Sequence, residues 1–255
     1  MITVSRFSVT PVKSLALHHP EEVRLDASGV ATNRRFFLVR EDGRLFAGVH
    51  HGPLVQVRAE WDETKDSLAL AFPGGNVVAE TVRLSAEATE TDFWGRPVRG
   101  RVVDGPWAAA LSAFAGEPVR LVKADEPGGG VDVEPVTVSS LASAVEVAKR
   151  GGKPDADSRR FRMLVELDGC TAHEEDTWNG RRFRMGAAVV EMLGPVARCA
   201  TTTRDPHTGI RDFDALGAIT SYRPLRDGKN IDFGIYARVI TPGRVRVGDA
   251  VAPAM

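Results

Sequence analysis

Cys199 stands in the stretch Gly194-Pro195-Val196-Ala197-Arg198-Cys199-Ala200-Thr201-Thr202-Thr203, whose side chains suit thiolate chemistry. The thiolate is both the nucleophile and the metal-binding form of cysteine, and neighbouring cations favour it. Arg198 precedes Cys199 and Arg204 follows it. The threonines offer hydroxyls to an anionic ligand, and Asp205-Pro206-His207-Thr208-Gly209 reads as a tight turn that fixes the loop. A lone cysteine is also commonly a buried, inert side chain. Residue types alone leave both roles open. Cys170, in Asp168-Gly169-Cys170-Thr171, lacks such neighbours and reads as structural or as an incidental exposed thiol.

A second group is basic and hydroxylic: Lys13-Ser14, Arg34-Arg35, Ser139-Ser140 and Arg159-Arg160-Phe161-Arg162. A helix N-terminus capped by serine is a natural phosphate site, and Arg or Lys at strand ends can complete it. Taken singly, each also reads as solvated surface charge. The adjacent pairs His18-His19 and His50-His51 would point to opposite faces if extended, and nothing matches the spacing of a zinc site.

The elements that position these groups are mostly short strands. Val4–Val9, Phe36–Arg40, Val55–Ala59, Ser67–Phe72 and Val78–Leu84 are rich in β-formers, with turns at Glu41-Asp42-Gly43 and Pro73-Gly74-Gly75-Asn76. Phe161–Leu167, Val189–Met192, Ile235–Ile240 and Val245–Val247 read as further strands, and the run Ala187–Leu193 breaks at Gly194-Pro195. Helices are predicted at Trp107–Ala115, ended by Gly116, and at Leu141–Lys149, with Ser139 and Ser140 as N-cap candidates. Glu126–Val131, containing Gly128-Gly129-Gly130, is the candidate linker. The fold class is mainly β (α+β), divided into an N-terminal unit at 1–125 and a C-terminal unit at 126–255.

With 255 residues, 43% hydrophobic, 26% charged and a formal net charge of −1, the chain is globular in composition and lacks the basic excess of a nucleic-acid binder. It has no secretory core at its start and no run approaching the roughly 18 apolar residues of a membrane span. A soluble cytoplasmic protein is expected. Two cysteines cannot supply the ligands of a typical iron–sulfur cluster. Any redox chemistry therefore needs electrons from outside the chain.

Arg198-Cys199-Ala200-Thr201-Thr202-Thr203-Arg204-Asp205-Pro206-His207-Thr208-Gly209 resembles the Arg-Cys-x-x-Thr-Thr-x-Asp-Pro-x-Thr-Gly signature of MOSC-domain proteins, and among them the amidoxime-reducing components. Pro11-Val12-Lys13-Ser14, Arg35-Phe36-Phe37-Leu38-Val39, Trp94-Gly95, Arg160-Phe161-Arg162, Glu175-Asp176-Thr177-Trp178 and Phe233-Gly234-Ile235-Tyr236 follow in family order. The resemblance implies an N-terminal β-barrel-like domain packed on a MOSC β-barrel, and a molybdenum cofactor: one pterin whose dithiolene binds molybdenum, with Cys199 as the protein's metal ligand. It implies a cofactor set of Lys13, Ser14, Arg35, Ser139, Ser140, Arg160, Arg162, Arg198, Thr202 and Thr203, with Asp205 approaching the metal's open face. The family also carries a generic association with pyridoxal phosphate.

The implied reaction is two-electron reduction of a small N-hydroxylated substrate. A separate reductase of flavin, ferredoxin or cytochrome type would supply the electrons, and no nucleic acid or membrane partner is expected. The resemblance also admits a sulfur carrier using a Cys199 persulfide, or a protein that holds the cofactor without turnover. Two departures stand out. The family's Thr-x-Arg-Gln is replaced in Phe46-Ala47-Gly48-Val49-His50-His51, with His50 or His51 in place of the arginine. Met163-Leu164 replaces Pro-Asn.

Overall fold

A computed structural model describes residues 1–254. Its strands are joined by three α-helices: α1 (Trp107–Ala115), α2 (Leu141–Arg150) and α3 (Ala215–Thr220). Seven strands form a closed barrel in the order Ile2–Phe7, Val165–Asp168, Val136–Ser140, Asp232–Thr241, Ala188–Ala197, Arg182–Met185 and Ala250–Pro253. Val136–Ser140 and Val165–Asp168 pair in parallel. Parallel neighbours need a crossover, which here contains α2. Alternation along these strands turns Val4, Val138, Met185, Val190 and Ile235 into a dry interior.

The barrel is discontinuous in sequence. Ile2–Phe7 closes it, pairing with Val165–Asp168 on one side and with Ala250–Pro253 on the other. The expected division at 125/126 is therefore crossed by the first strand. Glu22–Leu25 likewise pairs with Gly243–Arg246, and the remaining N-terminal strands form a five-stranded and a three-stranded sheet wrapped around a second core of Phe36, Leu38, Leu54, Leu68, Trp107 and Leu121. Trp107 is fully buried, and its indole N–H donates to Leu68 O at 3.1 Å. Trp107→Ala is expected to destabilise the chain by about 3–5 kcal/mol, measured as a lower midpoint in urea unfolding.

α1 ends as predicted, on Gly116 with φ 74°. Elsewhere three expectations change. Gly52–Gln56 is a 3₁₀ turn begun by Gly-Pro, and the strand starts only at Arg58. Ser158–Phe161 is also a 3₁₀ turn, so the next strand starts at Val165 rather than Phe161. The strand before Cys199 does not break at Gly194-Pro195; it bulges there and runs on to Ala197, because an irregular register tolerates a residue without a donor. No helix among the described residues is long and apolar enough to cross a membrane.

Candidate functional site

Cys199 follows the end of strand Ala188–Ala197 and starts a short 3₁₀ turn, Ala200–Thr203. Its side chain is exposed, and Sγ lies 3.4 Å from Thr201 Oγ1, which accepts from the thiol. Thr202 Oγ1 donates to Cys199 O at 3.0 Å, and Thr203 Oγ1 to Ala200 O at 2.7 Å. Both hydroxyls expected to face a ligand thus turn back on the preceding turn, as threonine does in helical segments. Thr201 lines the cleft instead.

Arg160 is clamped under this loop. Its guanidinium donates to Thr202 O, Arg204 O and both oxygens of Asp212, at 3.0–3.3 Å, and its Nε to Asp157 O at 3.1 Å. Every nitrogen is engaged, so Arg160 is a strut for the cysteine loop rather than a cofactor donor. Arg160→Met leaves Asp212 short of a partner and is expected to cost about 3 kcal/mol. Faster amide exchange over residues 201–212 would register the loosened loop.

Above Cys199 lies a concentration of positive charge. Lys13 is buried; its ammonium donates to Gly130 O at 3.0 Å and Asp132 Oδ1 at 2.5 Å, and sits 5.0 and 5.5 Å from the Phe93 and Trp94 rings. Arg34 reaches Asp132 Oδ2 at 3.2 Å and the Arg162 carbonyl at 3.3 Å. Arg162, in left-handed backbone, donates to Leu15 O at 2.7 Å. Arg198 donates to Phe161 O, and its Nε is buried with no partner. Neither Arg162 nor Arg198 forms an ion pair among the described residues.

Asp132 is the one carboxylate paired inside this group. Burial would raise it, but Lys13 and Arg34 outweigh that and hold it at about 2. Burial lowers Lys13 to about 8, against the pull of Asp132 and helped by Arg34. Burial also lowers Arg162 and Arg198. The cluster is short of negative charge, and an anion would relieve it.

Several predicted site residues lie elsewhere. Arg35 is offset from Arg34 on the chain and faces Glu63, Asp66, Asp125 and Glu126; Arg34 takes the cluster position. The N-terminus of α2 is already filled. Glu175 Oε1 accepts from Ser140 N at 3.1 Å and Ser143 Oγ at 2.7 Å, while Ser140 Oγ caps Ser143 N. Ser139 is buried in the strand before it. Neither serine has an open phosphate seat, because the chain's own carboxylate occupies the helix dipole. Asp205 Oδ1 accepts from His207 N, Thr208 N and Thr208 Oγ1 at 2.8–3.0 Å. Against a burial effect that would raise it, these bonds hold Asp205 below its ordinary value. It fixes the turn as an ion and is poorly suited to donate a proton.

Ser14, with φ 74°, accepts from Gly48 N at 2.9 Å and so ties the 47–52 segment to Lys13. His50 stacks on Phe46 and accepts from Ala47 N, while His51 packs edge-on to Phe114. Neither replaces an arginine at the cleft. The predicted linker is pinned: Gly130 N donates to Arg34 O at 3.0 Å, and a Cβ on Gly130 would lie 2.3 Å from that oxygen. Glycine serves close backbone approach here, not flexibility.

Sequence reasoning counted Arg34 and Thr201 among the basic and hydroxylic groups but gave the cofactor contacts to Arg35, Thr202 and Thr203, and it missed Asp132. Asp132 has one signal in the sequence, an acid two residues beyond the glycine run of the candidate linker. A single soft ligand, Cys199, stands at the cleft, bonded to Thr201 on its wall and beside surplus positive charge. The cleft suits a group that is anionic and brings its own chelation.

A model of the MOSC domain matches residues 125–252, and one of the MOSC N-terminal beta barrel domain matches residues 1–118. Mitochondrial amidoxime reducing component 2 of Bos taurus is 28% identical over 281 residues, covering 98% of this chain and 82% of that one. The protein of the same name in Homo sapiens is 27% identical over 282 residues, with the same coverage. Among solved structures, the YuaD protein of Bacillus subtilis superposes with a TM-score of 0.46 at 12% identity, covering 98% of this chain and 94% of that one. The chain therefore belongs to the MOSC-domain family, with the MOSC N-terminal beta barrel domain ahead of the domain that carries Cys199.

Proposed function

We propose that this protein holds a molybdenum cofactor, with Cys199 as the protein ligand to the metal, and reduces N-oxygenated compounds with electrons from a separate reductase. One observation carries the reading: an exposed thiol directly follows Arg198, one of a group of buried and half-buried cations that outnumber their carboxylate. The phosphate and dithiolene of such a cofactor would supply the missing negative charge. A lone thiolate is a suitable soft ligand but not a complete metal site, and no group of three or more His, Cys, Asp or Glu suited to a metal exists among the described residues. The metal must arrive already chelated.

Lys13, Arg162 and Arg198 would hold the anionic parts, with Arg34 and Asp132 keeping those cations in place. Thr201 would orient Sγ, and Arg160 would keep the loop beneath it rigid. When bound, the cofactor supplies two-electron redox chemistry. Reduction of an amidoxime breaks its N–O bond, takes up two electrons and two protons, and releases an amidine and water. Asp205, held ionised, would fix the wall of the cleft, and the protons would enter from solvent through the open face at Cys199. The names of the relatives favour N-hydroxylated substrates.

Protein from a molybdate-replete host is expected to carry about one molybdenum per chain and to reduce benzamidoxime with a chemical reductant. Metal-free protein under those conditions would refute the proposal. A sulfane adduct on Cys199 without metal would point to sulfur transfer instead.

A further inference from the structure

Arg204 has no place in the cation cluster, yet it lines the same cleft as Thr201, Arg162 and Asp205. Its Nη1 donates to Gly209 O at 2.9 Å and its Nη2 to Val49 O at 3.3 Å, while Nε is buried without a partner. Among the described residues it forms no ion pair, unlike Arg159 and Arg160, which are matched by Asp157 and Asp212. A Cβ on Gly52 would lie 2.3 Å from Nη1 and 2.9 Å from Cδ of Arg204. Glycine at 52 is what leaves room for this guanidinium. Asp205, the one carboxylate on the cleft wall, is committed to its own turn. Past Pro206 the cleft continues into a groove bordered by Arg58, Arg159, His19 and His207, with no carboxylate on its wall.

We propose that the substrate carries an anionic oxygen group, a carboxylate or a phosphate, which Arg204 binds at the mouth of the cleft while the N–O group lies toward Cys199. The proposal rests on the reductase reading above. Arg204 differs from Arg162 and Arg198 in that both of its terminal nitrogens are held by carbonyls, Gly209 O and Val49 O, one from each half of the chain. A planar fork held this way recognises a carboxylate or phosphate oxygen pair directly. It would also disfavour ligands that enter as cations.

Equilibrium binding by calorimetry and turnover with a chemical reductant would be measured on the metal-loaded protein for benzamidoxime, its 4-carboxylate and its 4-phosphonate. The anionic compounds are expected to bind about tenfold tighter than the uncharged one, a preference that fades at high salt. Arg204→Met should bring the binding ratio close to one, and Arg204→Lys should restore part of it. A merely structural role would weaken all three ligands alike and leave the ratio unchanged. Equal binding of charged and uncharged compounds by the unaltered protein would overturn the inference, as would full discrimination in Arg204→Met. Because the salt response needs no variant, a poorly folding substitution does not block the test. If none of the compounds is reduced, the reductase reading fails; if they are reduced without charge preference, only this inference fails.

Discussion

Replacing Cys199 with serine is expected to strip the protein of metal and to lower amidoxime turnover by at least about 100-fold. Serine is nearly isosteric, but its oxygen is harder and stays protonated at neutral pH, so it makes a poor substitute for a thiolate on a soft metal. The fold should be untouched. Cys199 is exposed and belongs to no core cluster, and its side chain's one hydrogen bond is to Thr201. Metal analysis beside far-UV circular dichroism separates the two effects. A serine variant that keeps both its metal and its rate would mean that Cys199 is not the ligand.

The second large effect has opposite signs in function and in stability. Lys13→Met is expected to weaken cofactor retention by about 10–100-fold while raising the stability of the cofactor-free protein by about 1–2 kcal/mol at pH 7. Lys13 releases its proton at about 8 when folded, against an ordinary value of 10.5. Between those values the unfolded chain binds the proton and the folded one does not, so stability rises with pH through that window. Below it, folding must hold a buried ammonium beside Arg34 and Arg162. Methionine removes that cost. Asp132 keeps Arg34 as a partner, and its side chain is 40% exposed, so solvent screens the loss of Lys13. The advantage of the methionine variant should shrink as pH climbs from about 8 toward 10.5. Thermal melts of both proteins across pH 6 to 11 would show the curves converging; parallel curves would contradict it.

What could be read from the chain was local. Trp107–Ala115 with its glycine stop, the helix behind Ser140 and the turn at Asp205 are decided by neighbours within a few positions. The same holds for the placing of Cys199 on a loop after a strand. What stayed hidden depends on distant partners. Ser140 reads as a phosphate seat until Glu175, far along the chain, fills it. Gly128-Gly129-Gly130 reads as spacer until Arg34 and Arg96 pin its backbone. Arg34 and Arg35 are indistinguishable by type; only the backbone bend at Arg34, with φ 54°, decides which one faces Asp132. The three threonines differ only through the 3₁₀ geometry that turns Thr202 and Thr203 inward. Family membership, in contrast, was legible, since the Cys199 signature is contiguous.

The barrel seam between Ile2–Phe7 and Ala250–Pro253 also bears on how the molecule is born. During synthesis Ile2–Phe7 must wait, with one edge open, for a partner made more than two hundred residues later, an interval of roughly 10–50 s at usual elongation rates. Lys13 follows that strand by only a few residues and meets Gly130 and Asp132, more than a hundred residues on. The charged cleft is thus complete only once Asp132, Arg162 and Arg198 have joined Lys13, which places loading of any anionic group after the making of all these segments. Until its partner is made, the waiting strand is the segment most exposed to mispairing with another copy.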